Sequence, residues 1–197
     1  LSDVVSIAVG RHHSMALHSN GTVTAWGQNN YNQSNVPDGL SDVLAIAGGT
    51  YHSLALHSDG TVTSWGRNNY GQSNTDGLSD IIAISARGYH SLALHSDGTV
   101  SAFGRNDQGQ INVPDDLSDV VEIHASRYNS LVIHSNGTVT AWGRNDYGQS
   151  NTDGISGVVA VSASHYTNAV VHYDGSARLQ TVTENDNFWY YNFIKKW

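Results

Sequence analysis

A ten-residue stretch, HSDGTVTSWG, begins at His57, and near copies of it begin at residues 18, 95 and 134, with a degraded fifth copy at 172. The copies are 39, 38, 39 and 38 residues apart, so the period covers nearly the whole chain of 197 residues. A strict period near 40 residues is typical of repeat architectures, in which each unit is too small to bury its own faces and shares a core with its neighbours. The chain is therefore predicted to be one array of repeats rather than a set of independent domains.

The second copy of the repeat, from Leu40 to Gly77, contains three short runs of apolar and β-branched residues, at 43–47, 53–57 and 61–65. Runs this brief are too short for helices and predict strands. An Asn-Gly or Asp-Gly pair joins the second and third runs in every copy, which predicts a tight hairpin turn with positive φ angles. The Asn- and Gly-rich segment that follows is predicted to be a loop with room for a fourth edge strand.

Sheets of this size must pack against copies of themselves, either radially as propeller blades or linearly as a solenoid. Repeats of about 40 residues are typical of four-stranded blades, whereas solenoid coils are shorter. We therefore predict an all-β protein, a β-propeller of antiparallel three- to four-stranded blades with about five repeats of 38–39 residues. The predicted repeats span residues 1–183, as 1–39, 40–77, 78–116, 117–154 and a degenerate 155–183, and an aromatic tail follows at 184–197.

The composition restricts the function further. Hydrophobic residues make up 39% of the chain and charged residues 13%, which suits a folded array, and the absence of cysteine excludes disulfides and thiolate metal sites. The net charge is −8, and both lysines, Lys195 and Lys196, lie at the end of the chain, which argues against binding to a phosphate backbone. We expect no nucleic acid partner, no membrane span and no cofactor. The compartment stays open, with an extracellular or surface-exposed location favoured.

A longer pattern also recurs: Gly-x-x-His-Ser-x-Ala-Leu at 49–56, Asp-Gly at 59–60 and Trp-Gly-x-Asn-x-x-Gly-Gln at 65–72. It resembles the repeat of the regulator of chromosome condensation superfamily, and the Ser-Asp-Val-x-Ala-Ile opening is most similar to bacterial propeller proteins that inhibit β-lactamases. The resemblance covers residues 1 to about 181 and implies a β-propeller that binds a protein partner. Such relatives usually close with seven blades. The five copies found here leave three alternatives. The five blades close a ring by themselves, they are part of a larger ring in a processed or longer chain, or several chains assemble to complete the ring.

Histidine occupies two positions of the repeat. His13, His52 and His90 share the first position, which Asn129 and Thr167 occupy in the other copies. A ring of metal ligands would not accept such replacements, so we predict a hydrogen bond made once per blade, within or between blades. The second row precedes each hairpin turn, and we expect a structural role or a solvent-facing row there rather than a metal site. Its members are His18, His57, His95, His134 and His172.

A large aromatic residue followed by glycine ends the third run of four copies: Trp26, Trp65, Phe103 and Trp142. A stacking platform for sugars or bases would use such residues. One aromatic side chain per blade at a fixed strand end is more simply explained by packing between blades. These side chains are therefore predicted to lie in the core.

The loop after the first strand differs most between copies. Equivalent loops of successive blades cluster at one end of a propeller, and tyrosine and arginine are enriched at binding hot spots. In the inhibitors that the repeat resembles, aromatic residues of this loop face the protein partner. The alternative is that the tyrosines pack under the next blade. The candidate partner-binding residues are Arg11, His12, Tyr51, Tyr89, Arg127, Tyr128, His165 and Tyr166.

Arginine begins the loop after the third strand in three copies, at Arg67, Arg105 and Arg144, and a tyrosine stands near the start of this loop at Tyr31, Tyr70 and Tyr147. We expect these guanidinium groups to pair with aspartates of adjacent blades, such as Asp42, Asp80 or Asp119. Contact with an acidic partner or a glycan is the alternative.

The tail fits three uses: a cap on the last blade, a contact with a partner or another copy of the chain, or an anchor at a membrane interface. Its candidate contact residues are Phe188, Trp189, Tyr190, Tyr191, Phe193 and Trp197.

No nucleophile elbow, phosphate loop or zinc-protease helix occurs, and the acidic residues recur with the repeat, whereas a catalytic residue is normally unique. The sequence therefore predicts a non-enzymatic recognition module that binds a protein partner through loops at one end of the blades. One alternative is a glycan-binding or adhesive surface or virion protein, which would need the same polar and aromatic set in every blade. The other is a structural subunit that forms homo-oligomers through the tail.

Overall fold

The computed structural model describes residues 2–163 and 168–180, which form five antiparallel sheets of three strands each. The strands follow sequence order in every sheet, so the second strand is always central. The strands are β1 (Val4–Val9), β2 (His13–His18), β3 (Val23–Gly27), β4 (Val43–Gly48), β5 (His52–His57), β6 (Val62–Gly66), β7 (Ile81–Arg87), β8 (His90–His95), β9 (Val100–Gly104), β10 (Val120–Ala125), β11 (Asn129–His134), β12 (Val139–Gly143), β13 (Val158–Ala163), β14 (Asn168–His172) and β15 (Ala177–Gln180).

The hairpin between the second and third strands turns at the Asx-Gly pair, but the predicted positive φ is found only at the glycine. The N–H of Gly60 donates to the carbonyl of His57 at 3.1 Å, so Ser58 and Asp59 are the central residues of the turn, and Asp59 does not have a positive φ. In the second sheet the Asp59 carboxylate accepts hydrogen bonds from the Thr61 backbone N–H at 2.9 Å and from the Thr61 hydroxyl at 2.6 Å, and Gly60 has a φ of 80°. The hydrogen bonds from Thr61 hold the pKa of the Asp59 carboxyl below its usual range. Asn20 and Asn136 make the same pair of bonds to Thr22 and Thr138 in their own sheets.

Neighbouring sheets pack face to face and share their apolar cores. Leu54 and Leu56 of β5, for example, cluster with Ile81 of β7 and Ala93 of β8 in the next sheet. Equivalent clusters join the first sheet to the second, the third to the fourth and the fourth to the fifth. The chain is therefore a β-propeller of three-stranded blades, and the described residues contain no fourth strand in any blade. No helix of residues 2–163 and 168–180 is long and apolar enough to cross a membrane.

The first blade differs from the second, third and fourth because no blade covers its outer face in the described part of the chain. Val5, Ile7 and Val9 of β1 are exposed. Trp65 and Trp142 are only 7% exposed, as predicted, whereas Trp26 at the same position of the first blade is 44% exposed. The prediction that Trp26 lies in the core is wrong, because this side chain packs only when a preceding blade is present.

Candidate binding face

Both variable loops of a blade lie at the same end of the propeller. The first strand runs to this end, the second returns and the third runs to it again, so an odd number of strands brings the two loops together. Backbone hydrogen bonds join them: the N–H of Arg67 donates to the carbonyl of Tyr51 at 2.8 Å, and the N–H of Arg105 donates to that of Tyr89 at 2.9 Å. The first loop is the one after the first strand, and the second loop is the one after the third strand.

Side chains of these loops form a surface that we call the tyrosine–arginine belt. The second-loop tyrosine of one blade meets the first-loop tyrosine of the next, with ring centroids 4.9 Å apart for Tyr31 and Tyr51 and 5.7 Å for Tyr70 and Tyr89. Gln108 stands at the Tyr70 position in the third blade and divides the belt into a larger and a smaller part. The belt consists of Tyr31, Tyr51, Arg67, Tyr70, Tyr89, Arg105, Tyr128, Arg144 and Tyr147.

Arg67 lies at the centre of the larger part of the belt. Its guanidinium carbon is 4.9 to 5.8 Å from the ring centroids of four tyrosines, two from the first loops and two from the second loops: Tyr31, Tyr51, Tyr70 and Tyr89. Cation–π attraction of this kind holds the half-buried side chain in place. Within residues 2–163 and 168–180 Arg67 forms no ion pair, and its buried Nε has no hydrogen-bond partner.

The predicted pairing of the second-loop arginines with aspartates of adjacent blades is wrong. Arg105 pairs with Asp107 at 2.6 Å and Arg144 with Asp146 at 2.7 Å, both within the same loop. The aspartates expected as partners lie at the opposite end, where Asp42 precedes β4 with a φ of 56° and its carbonyl accepts a hydrogen bond from Ser58. The full length of a blade therefore separates them from the arginines.

The structure brings most of the predicted partner-binding residues to the belt end. Arg11 and His12 are exposed, and the His12 ring stacks on Tyr51 with centroids 5.4 Å apart. Arg127 lies over the ring of Tyr128 at 5.0 Å. Tyr51, Tyr89 and Tyr128 are half-buried, so they pack between loops and still present one edge to solvent. His165, Tyr166 and the predicted tail contacts Phe188, Trp189, Tyr190, Tyr191, Phe193 and Trp197 lie outside the described residues.

The first row of histidines makes the predicted hydrogen bond, and it links one blade to the next. His52 Nε2 is 2.9 Å from the Ser91 hydroxyl, which in turn donates to the carbonyl of Gln72 at 3.0 Å. His13 and His90 bond to Ser53 and Ser130 in the same way, at 2.8 and 3.0 Å. Burial, with the charges of neighbouring histidines adding to it, lowers the pKa of His52 to about 3, and burial lowers the pKa of His90 to about 4. Both rings are therefore neutral near pH 7 and structural.

The second row of histidines is also structural. His57 Nδ1 donates to the carbonyl of Ser41 at 2.9 Å, and its Nε2 accepts a hydrogen bond from Thr63 at 2.7 Å. The same pair of bonds recurs at His18 and His134. No group of three or more potential metal-ligating side chains occurs among the described residues.

Arginines are concentrated at one end of the propeller although the whole chain carries −8, and Asp107 and Asp146 pair with two of them there. Every arginine of residues 2–163 lies at the belt end: Arg11, Arg67, Arg87, Arg105, Arg127 and Arg144. The opposite end carries aspartates of the hairpin turns, such as Asp59 and Asp97, and those that precede the first strands, such as Asp42 and Asp80. From the sequence, the two loops are interpreted separately, and neither the belt nor this polarity is predicted. An odd number of strands per blade is the sequence feature that would have placed both loops at the same end.

Comparison with known proteins agrees with this architecture. The family model of the regulator of chromosome condensation (RCC1) repeat matches residues 4–33, 43–72, 81–110 and 120–149, more than half of the chain. No curated protein sequence gives a significant match.

Three solved structures are similar to this chain. Prp20p from Saccharomyces cerevisiae is 25% identical over 75% of this chain and 46% of its own, with a TM-score of 0.63. Human WBSCR16 is 20% identical over 92% and 62%, and the ectodomain of the Physcomitrella patens receptor kinase CR4 is 20% identical over 90% and 49%, both with a TM-score of 0.74. The chain spans about half of the length of these relatives. The similarity to β-lactamase inhibitors stays a prediction, but the repeat matches and the fold show that this chain belongs to the RCC1 repeat family.

Proposed function

We propose that this chain is a non-catalytic recognition module that binds an acidic surface of a protein partner on the tyrosine–arginine belt. The observation that carries the proposal is the environment of Arg67, a half-buried cation held by four tyrosine rings without a carboxylate partner in the described part of the chain. A cation that is already ordered and partly desolvated loses little side-chain entropy and little hydration on binding. It gains a charge-assisted hydrogen bond when a partner supplies a carboxylate.

The composition of the belt supports a protein partner. Tyrosine and arginine are the residue types that carry much of the energy in protein interfaces, and here they are ordered before binding by contacts with each other. Tyr31, Tyr70 and Tyr147 are exposed on this face and supply rigid apolar area. A family member, Prp20p, binds Gsp1p and histones, which is consistent with protein recognition as a use of such a propeller.

A glycan-binding surface fits the belt less well. The asparagines that recur in the second loops are the groups that a sugar site repeated in each blade would use. Their amides hold the loop itself: Asn29 donates to Asn35 at 2.6 Å and accepts from the Ser34 N–H at 3.0 Å, and Asn106 bonds to Asn112 and Ile111 in the same way. These amides are thus less available to sugar hydroxyls.

The described part of the chain also favours binding over catalysis. The histidines with the most perturbed pKa values, His52 and His90, are fully buried and bonded to serines of the next blade. A general acid or base must reach a substrate, and these rings do not reach solvent.

Site-specific photo-crosslinking in an extract of the source cells tests the proposal. The exposed Tyr70 of the belt is replaced by benzoylphenylalanine, and Tyr173, 88% exposed beyond β14 at the opposite end, receives the same change as the matched control. We expect a discrete protein adduct from position 70 that is absent from position 173. The adduct should be lost when R67Q, which copies Gln28 of the first blade, is added. Equal adducts from both positions, or no protein adduct from position 70, would contradict the proposal.

A further inference from the structure

A cavity of about 830 Å³ opens near the propeller axis at the belt end, between first loops of different blades. The ends of the innermost strands of all five blades line it, from Val9 in the first blade to Ser162 in the fifth, together with first-loop residues of the first four blades. It is distinct from the belt, because none of the nine belt residues lines it.

Glycines leave bare backbone along part of the cavity wall. A Cβ added at Gly49 would overlap the ring of His52, and one added at Gly88, which has a φ of 58°, would lie 2.5 Å from the carbonyl oxygen of Arg127. The carbonyls of these two glycines already accept hydrogen bonds from the first loop of an adjacent blade, Gly49 from Arg11 N–H at 3.2 Å and Gly88 from Thr50 N–H at 2.8 Å. At these points the wall therefore has no room for a side chain, and the carbonyls of the two glycines already have hydrogen-bond donors.

The charged side chains that line the cavity are cationic. Arg11, Arg87 and Arg127 come from the first, third and fourth blades, and His124 lies below them on β10. No Asp or Glu lines the cavity among the described residues. Glu122, also on β10, does not line the cavity and lies 2.7 Å from His124 Nε2. Arginine remains charged throughout the physiological pH range, so the three guanidinium groups place three positive charges around this concave site.

We propose that this cavity is a binding site for an anion with two or more carboxylate, phosphate or sulfate groups. The guanidinium fork binds such oxyanions through two parallel hydrogen bonds, and three arginines around one cavity can engage more than one group at once. The volume lies within the range of sites for small organic ligands and exceeds the size of a single inorganic ion. The oxyanions come either from a free polycarboxylate or from acidic side chains of a protein, and the site does not depend on partner binding at the belt.

Isothermal titration calorimetry of the full chain at constant ionic strength tests the site with two probes, citrate and a hexaglutamate peptide. The test variant is R11Q/R87Q. The matched control is N20D/N136D, which lowers the net charge by the same amount at the opposite end and copies the Asp-Gly turns of the other blades. We expect saturable binding of at least one probe, weakened about tenfold or more in R11Q/R87Q and changed less than about twofold in N20D/N136D, since each charge-assisted hydrogen bond contributes of the order of one tenfold step.

The preferred probe identifies the source of the oxyanions: tighter citrate binding assigns the site to a free small anion, and tighter hexaglutamate binding assigns it to acidic side chains. If R11Q/R87Q does not fold, the single variants R11Q and R87Q must each weaken binding relative to the wild type. Absence of saturable binding with both probes, or equal weakening in N20D/N136D and R11Q/R87Q, would overturn the proposal.

Discussion

His52 and His57 lie on the same strand, β5, yet their hydrogen bonds require opposite tautomers. The Ser91 hydroxyl must donate to the carbonyl of Gln72, so His52 carries its proton on Nε2. The carbonyl of Ser41 can only accept, so His57 carries its proton on Nδ1. Both ring nitrogens of His57 have hydrogen-bond partners, whereas Nδ1 of His52 is buried without a partner among the described residues, so protonation of His52 would put an N–H there that no described group accepts.

This difference predicts an acid sensitivity that belongs to the first histidine row. The pKa of His52 is about 3 in the folded chain and that of His90 about 4, against about 6.5 for an unfolded histidine, so the unfolded state binds more protons between these values. The contribution of these two histidines to stability is therefore fully present above pH 6.5 and decreases as the pH falls below that value. We expect the free energy of unfolding to decrease by about 1.4 kcal/mol per pH unit for each of these histidines.

Urea unfolding between pH 7.5 and 4.5 measures this slope. The comparison is H52N/H90N, because Asn129 occupies the same position in the fourth blade. The variant should lose less stability per pH unit than the wild type over this range. Carboxylates such as Asp59, whose pKa is held below its usual range by the hydrogen bonds from Thr61, contribute mainly at lower pH. Equal slopes for the two proteins would mean that the buried histidines do not cause the acid sensitivity.

At the scale of the strand and its loop, the room available for the first-row histidine ring depends on the residue three positions before it. Gly10 precedes His13 and Gly49 precedes His52, and in both cases an added Cβ would overlap the imidazole ring. The fourth blade has the smaller Asn129 and carries Ser126 at the glycine position, with the same backbone hydrogen bond between them as between Gly49 and His52. The third blade keeps His90 with Arg87 at that position, and its loop turns differently because Gly88 has a φ of 58°.

This covariation predicts coupling between two substitutions in the second blade. G49S should destabilise the chain by about 1–3 kcal/mol through overlap with the ring, and H52N should destabilise it by removing buried packing. The double variant G49S/H52N copies the Ser126–Asn129 pair of the fourth blade. We expect its loss of stability in urea unfolding to be smaller than the sum of the single losses by about 1 kcal/mol or more. Losses that add to within about 0.5 kcal/mol would show that the two positions are independent.

The features that could be predicted from the sequence are those that recur in each repeat. The strands of the second blade, the Asp59-Gly60 turn and the hydrogen bond of His52 all follow from local pattern and recurrence. The partner of Arg105 could not be predicted, because the choice between Asp107 and Asp119 depends on which end of the blade each loop reaches. The burial of Trp26 depends on a neighbouring blade, and its own repeat carries no sign of that neighbour.

At the scale of the whole molecule, the concentration of arginines at one end has a consequence for association. The chain is acidic overall, but the arginines at the belt end place positive charges on this face and around the axial cavity. Oriented charge of this kind steers an acidic partner to one end and repels it from the other. The polarity arises because the hairpin turns select Asp and Asn at one end, while the loops that tolerate arginine lie at the other.

The propeller is also a quasi-one-dimensional array in which each blade is stabilised by its neighbours. The second, third and fourth blades have a blade on both faces, whereas the first blade has a neighbour on one face only in the described residues, and Ile7 of β1 is exposed. Within the described residues the first blade is stabilised by one interface and the third blade by two, so we expect the first blade of this chain to open locally at lower free energy than the third.

Hydrogen–deuterium exchange with mass spectrometry compares equivalent peptides from β2 and β8, which have nearly the same sequence and the same hydrogen bonding within their sheets. Amides of β2 should exchange faster than those of β8 at low protein concentration, because both strands are central and differ mainly in the blades that flank them. Equal protection that persists on dilution would show that the described blades unfold as one cooperative unit. In that case the exposure of the outer face of the first blade would have no effect on local stability.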